Sequence, residues 1–194
     1  MNRSPSRRRL ADQQMAVRLA GGPPAGPTGR ASKCLTPLLW TKSSTLPRDT
    51  AWAMSEENVE IVRKSLDGWN AFMRGELSSK TLAEPFDSQI ELHWRDQQTY
   101  PDTPQHLRGV AELVAFSEQY RDGWADLYSE PLELSEAPGL RVLGLIRQSS
   151  RGRESGVPIA IHFFGVWTIQ DGKIRQIEYF RHRADALKAA GLQE

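Results

Sequence analysis

The chain has 194 residues, a formal net charge of +1, and 39% hydrophobic and 25% charged residues, the arithmetic of one globular domain with or without a tail. Collagen-like, coiled-coil and wholly disordered chains are excluded. A mean hydropathy of −0.54 with no uninterrupted apolar run of roughly eighteen residues excludes a spanning helix and implies a soluble, cytoplasmic protein, and the single cysteine, Cys34, can form neither an internal disulfide nor a cysteine-based zinc site.

Charge is unevenly spread. Residues 1–53 hold nine Lys/Arg against two acids, Asp12 and Asp49, so the rest of the chain is net acidic. This segment runs through Arg7-Arg8-Arg9, Gly21-Gly22-Pro23-Pro24 and Leu46-Pro47-Arg48 with no sustained period of 2 or 3.6. A stretch that buries so little apolar surface does not offset the entropy of ordering it, and residues 1–53 are expected to be a disordered extension. Ser6-Arg7-Arg8-Arg9-Leu10 has the outline of a twin-arginine signal, but Asp12, Gln13, Gln14 and Arg18 occupy the place of its apolar region, which argues against export. A basic arm would bind phosphates through counterion release; nucleic acid is the weaker reading. Met54 opens the amphipathic pattern abruptly, as a natural start would, so residues 1–53 are expected to be upstream sequence joined by an early start.

From Ser55 to Met73 the apolar residues Val59, Ile61, Val62, Leu66, Trp69, Phe72 and Met73 recur at helical spacing, with Ser55 as a capping hydroxyl before the acidic first turn of Glu56 and Glu57. Gly75 ends this helix, and Ser78 to Ala83 predicts a short second one before Pro85. Ile90 to Arg95 alternates, placing Ile90, Leu92 and Trp94 on one strand face. A Pro-containing loop from Asp96 to Arg108 leads to a third helix near Gly109, with Val110, Leu113, Val114, Phe116, Tyr120 and Trp124 as its stripe. Beyond it the period is 2. Leu127 to Glu136, Leu140 to Ser149, Val157 to Gln170 and Lys173 to His182 predict four strands of an antiparallel meander. Asp171-Gly172 is a type I′ hairpin signal, and Arg183 to Ala190 predicts a closing helix stopped at Gly191.

The stretches Met54-Ser-Glu-Glu-Asn-Val-Glu-Ile-Val-Arg, Phe86-Asp-Ser-Gln-Ile-Glu-Leu-His-Trp, Leu107-Arg-Gly-Val-Ala-Glu-Leu and Val166-Trp-Thr-Ile-Gln-Asp-Gly-Lys-Ile, with the ending Arg183-Ala-Asp-Ala-Leu-Lys-Ala-Ala-Gly-Leu, resemble a SnoaL-like protein of the nuclear transport factor 2-like superfamily. The resemblance covers 54–194 and implies an α+β fold: a cone-shaped, curved antiparallel sheet wrapped around helices, with a pocket at its open end. Such proteins include isomerases, dehydratases, epoxide hydrolases, polyketide cyclases and non-catalytic modules, so the resemblance names no reaction. The first helix lacks the tyrosine of ketosteroid isomerase-like members, His93-Trp94 stand where an acid would be, and the Asp-Arg-Asp set of limonene epoxide hydrolase-type enzymes has no counterpart placed on the concave face.

Counting outward from Asp171-Gly172 pairs Ile169 with Ile174, Trp167 with Gln176, Gly165 with Glu178 and Phe163 with Phe180 on one face. That face is apolar apart from Gln176 and Glu178, and is expected to be concave. Glu178 would then be a desolvated carboxylate suited to proton transfer, with space across from it at Gly165. The expected site has Glu178 as the catalytic group and Trp69, Trp94, Tyr120, Phe163, Gly165, Trp167, Gln176 and Phe180 as ligand-binding residues. Core packing is the competing reading for Trp69, Trp94 and Tyr120, and an arginine partner or a solvated strand end for Glu178. The opposite face, with Phe164, Val166, Ile177 and Tyr179 rimmed by Arg175 and Arg181, predicts a homodimer interface. His93 and His162 fall on outward faces, His106 on the loop over the cone mouth and His182 at the concave edge. No His/Asp/Glu spacing forms a metal motif and no glycine-rich phosphate loop follows a strand, so neither metal nor cofactor is expected. The functional expectation is a small apolar ligand in the cone, with isomerase-, dehydratase- or cyclase-type proton transfer. The alternative is a non-catalytic dimeric module whose cone is plugged by its own Trp and Phe side chains.

Overall fold

A computed structural model describes residues 48–95 and 104–193, so most of the extension expected over 1–53 lies outside the described residues. Helix α1 runs from Arg48 to Met73. It passes straight through Ser55, which is therefore not the cap: residues 48–67 contain neither proline nor glycine, so nothing interrupts the helix before Pro47. The apolar stripe is the one the spacing predicts, with Val62, Leu66 and Phe72 buried. Helix α2 (Ser79–Leu82) starts from Ser78, whose hydroxyl accepts from the Thr81 N–H. Then come β1 (Phe86–Trp94), β2 (His106–Arg108), α3 (Gly109–Gly123), β3 (Trp124–Ala137), β4 (Arg141–Gly152), β5 (Pro158–Gln170), β6 (Lys173–Phe180) and α4 (Arg183–Ala190). Among the described residues no helix is long and apolar enough to cross a membrane.

The strands form one six-stranded sheet in the order β2-β1-β6-β5-β4-β3, with α1 and α3 packed against one face. Two details differ from the expected meander. The sheet is mixed, because β1 lies parallel to β6; and the end of the expected 96–108 loop is a short strand, β2, antiparallel to β1. Trp124 is buried as the first residue of β3 and not as the last turn of α3. The Asp171-Gly172 turn has φ of 51° and 71°, the two positive values that a type I′ hairpin requires.

That hairpin starts in the expected register and then leaves it. Ile169 pairs with Ile174, but Thr168 pairs with Gln176, Trp167 with Ile177, Val166 with Glu178 and Gly165 with Tyr179. Arg175 is an extra residue in β6, a β-bulge, and every side chain after it changes face. Ile174 and Ile177 both enter the core beneath the helices, while Gln176, Glu178 and Phe180 point to the other side. The bulge coincides with an irregular stretch of β1 between Phe86 and Glu91.

Gly144 and Gly165 are direct partners across β4 and β5. The space they leave is filled from within: a Cβ on Gly165 would lie 2.3 Å from the Trp167 ring, and one on Gly144 2.9 Å from it. Trp167, 1% exposed, thus lies over bare backbone, and Gly165 makes room for this ring instead of for a ligand beside Glu178.

On the outer face, α4 packs Ala186 and Ala190 against Leu143, Val166, Phe180 and Phe164. The apolar patch expected to form a dimer interface is therefore covered by the chain's own last helix, or, for Ile177 and Tyr179, turned inward. At the far side Asn70 of α1 bonds the β3 backbone at both ends of its amide: Nδ2 donates to Ser129 O at 2.9 Å, and Oδ1 accepts from Ser129 N at 2.8 Å. The side chain stands in for a strand beyond the sheet edge.

Two sets of substitutions test these contacts by urea denaturation. Gly165→Ala is expected to destabilise by about 1–3 kcal/mol, because the added methyl displaces a packed ring, and Trp167→Ala by about 3–5 kcal/mol. Asn70→Leu keeps the branched side-chain skeleton but strands a buried N–H and C=O, and should cost about 2–3 kcal/mol; a Gly165→Ala or Asn70→Leu chain as stable as the parent contradicts the packing described.

Candidate functional site

Between the sheet and the two long helices lies a cavity of about 90 Å³, lined by Ser65, Leu66, Trp69, Phe86, Leu92, Trp94, Leu113, Phe116, Tyr120, Gln148, Phe163, Trp167, Ile177 and Tyr179. At about 30 Å³ per water that space would hold on the order of three waters, so the side chains around it do not fill the cone. Helical spacing brings Ser65, Leu66 and Trp69 to one side of α1 and Leu113, Phe116 and Tyr120 to one side of α3; strand alternation supplies Leu92 and Trp94, then Phe163 and Trp167. The rings support one another. Trp94 lies 5.1 Å from Phe116 and 6.1 Å from Tyr179, and Phe163 and Trp167 meet Tyr179 nearly edge-on at 5.1 and 6.3 Å, the tilted and edge-on arrangements that aromatic quadrupoles favour.

Few polar atoms reach this space. The Ser65 hydroxyl donates back to Val62 O at 2.8 Å and is spent within α1. Gln148 Nε2 donates to the Tyr120 hydroxyl at 3.1 Å, which leaves the Tyr120 proton to donate elsewhere. Burial pushes the Tyr120 phenol up, partly offset by that hydrogen bond. The Tyr179 phenol is pushed far up, by burial first and by the nearby Tyr120 second. Both phenols therefore stay protonated at neutral pH and act as donors. No carboxylate and no imidazole is among the described lining residues.

Of the residues expected at the site, Trp69, Trp94, Tyr120, Phe163 and Trp167 come together around the cavity. Gly165 sits under the Trp167 ring. Gln176, Glu178 and Phe180 lie on the opposite face, displaced by the bulge at Arg175. Phe180 packs under α4. Glu178 accepts from Arg95 Nε at 2.9 Å and from its Nη2 at 2.5 Å, so it is the arginine-paired carboxylate of the competing reading and not a base in an apolar cavity. In its place β6 presents Tyr179, which the simple hairpin count put outside. Gln148 is missed for a different reason: Val142, Gly144, Ile146 and Gln148 alternate along one face of β4, and the period alone marks Gln148 as the polar member of an inward row.

The histidines are on the outer side or at the rim. His162 is exposed on β5, and His182 precedes the first turn of α4. His106 is not on a loop over the mouth but opens β2, directly opposite His93 of β1.

No family model matches the chain, and no curated protein matches it by sequence. Solved structures match its fold. An NTF2-like protein of unknown function from Burkholderia pseudomallei K96243 has 20% identity and a TM-score of 0.53 over 69% of this chain and 97% of its own. A Jannaschia sp. CCS1 protein provisionally named a SnoaL-like polyketide cyclase has 16% identity and a TM-score of 0.54, over 79% of this chain and 100% of its own. TerC, crystallised with polyporic acid, has 17% identity and a TM-score of 0.53, over 69% and 97%. At such identities the likeness is one of fold, and together with the helix order, the curved six-stranded sheet and the cavity between them it shows that this chain has the nuclear transport factor 2-like α+β fold.

Proposed function

We propose that the chain binds a small, largely apolar ring compound carrying a carbonyl or hydroxyl oxygen, held in the cavity between α1, α3 and the sheet. The observation that carries this reading is the cavity itself, an aromatic-walled space lined by Tyr179 together with the Tyr120–Gln148 pair. A protonated phenol donates its one hydrogen bond to an acceptor within reach, and a ligand oxygen in this space is one. Aromatic walls with few convergent polar groups are the usual composition of a small-molecule site. A structural neighbour of the same fold, TerC, was co-crystallised with polyporic acid, which supports a ring compound as the kind of ligand.

Any chemistry on such a ligand would rest on the phenols. Proton abstraction by a cavity carboxylate has no base among the described lining residues, since Glu178 is held outside by Arg95. Two protonated phenols aimed at one oxygen would polarise a carbonyl and stabilise charge developing on it, as an isomerase- or cyclase-type reaction needs. The open cavity favours binding over a plugged interaction module.

The test uses 1-indanone and indane, which have similar ring frameworks and differ by one carbonyl oxygen, followed through the fluorescence of the tryptophans lining the cavity. The ketone should bind more tightly than the hydrocarbon. Tyr179→Phe should weaken 1-indanone binding by about 3–10-fold, the worth of one hydrogen bond, and leave indane unchanged. Equal losses for both probes, or no binding of either by the parent chain, rejects the reading.

A further inference from the structure

On the outer face of the sheet, away from the cavity, β1 and β2 bring three donors together. Glu91 and His93 are two apart on β1 and share a face; His106 is the direct cross-strand partner of His93. Their donor atoms all lie within 4.8 Å of one another. Glu91 Oε2 stands 3.4 Å from His93 Nε2 and 3.9 Å from His106 Nε2, and the two imidazoles are stacked at 4.1 Å with 11° between their planes. The carboxylate thus lies within reach of both ring nitrogens.

We propose that Glu91, His93 and His106 form a site for a borderline first-row divalent cation of the zinc and copper class. Two imidazole nitrogens and one carboxylate oxygen are the donor set such ions prefer, whereas magnesium and calcium take oxygen ligands. Ligands about 2.0–2.2 Å from a tetrahedral centre are about 3.3–3.6 Å apart. The Glu91–His93 separation already meets that, and His106 needs to close by a few tenths of an ångström. The stacked rings must also turn about their Cβ–Cγ bonds so that their lone pairs converge, which opens the stack. Arg108 Nε donates to His106 Nε2 at 3.4 Å, so this nitrogen presents its lone pair, currently to a guanidinium that a metal would displace. The ion would staple β2, only three residues long, to β1. Spacing along the chain does not reveal such a site, because its ligands come from two strands and one of those strands reads as loop.

The experiment is zinc titration of the full, tag-free chain by calorimetry in a non-chelating buffer, with cobalt as a spectroscopic probe. One zinc per chain is expected, with micromolar affinity, unaffected by millimolar magnesium and accompanied by a higher melting temperature. His93→Ala, His106→Ala and Glu91→Gln should each weaken binding by roughly tenfold or more, and His162→Ala should not. Arg108→Ala removes the competing cation and should tighten binding, a gain that a misfolded variant cannot mimic; visible cobalt bands should vanish with the histidines. The absence of saturable zinc binding, or binding that survives the loss of both histidines, overturns the proposal.

Discussion

The Trp167 indole rests on two facing glycines, and the geometry of the whole cavity follows from that contact. Gly144 and Gly165 are partners across adjacent strands, so at one place in the middle of the sheet there are no side chains on the inner face. The ring can lie low there. Because it lies low, Tyr179 can meet it edge-on, Phe163 can meet Tyr179, and Trp94 can close the ring of contacts toward Phe116 and α3. A taller residue at either glycine would lift the tryptophan into the space between sheet and helices. The volume left for a ligand is therefore set by two residues that never touch it.

The helices are held over this floor by apolar stripes and by one polar clamp. Val62, Leu66 and Phe72 bury the stripe of α1, an interaction without direction, while the Asn70 amide fixes α1 to the edge strand at a single residue, Ser129. Removing either amide bond would leave a buried backbone group unpaired, which is why an amide, with one donor and one acceptor, suits that position. Beyond the apolar patch that α4 covers, the outer face carries charged pairs: Glu178 with Arg95, Glu130 with Arg147, and Glu91 between two histidines.

How much of this could be read from residues alone varied with the range of the interaction. The stripes of α1 and α3, the alternation of β4 and β5 and the Asp171-Gly172 turn are local patterns, and they placed Trp69, Trp94, Tyr120, Phe163 and Trp167 around the cavity. The identities of Tyr179 and Glu178 were exchanged because the bulge at Arg175 has no local signature; it arises where β6 must fit β5 on one side and the irregular start of β1 on the other. The same non-local pairing created β2 from a stretch with loop composition. The covering of Phe164 and Val166 by α4 is tertiary too, and periodicity could show only that a patch existed.

The bulge also says something about how such cones diversify. A strand in a sheet has only two sides, so one residue gained or lost at position 175 swaps the side on which Glu178 and Tyr179 stand without altering either. A phenol-lined interior and a carboxylate-lined one are then separated by a single codon's insertion or deletion and not by a series of substitutions, each of which would have to be tolerated alone. Chains with nearly the same interior-facing vocabulary can in this way hold opposite acid–base characters, and comparing them residue by residue in an ungapped alignment would hide the difference.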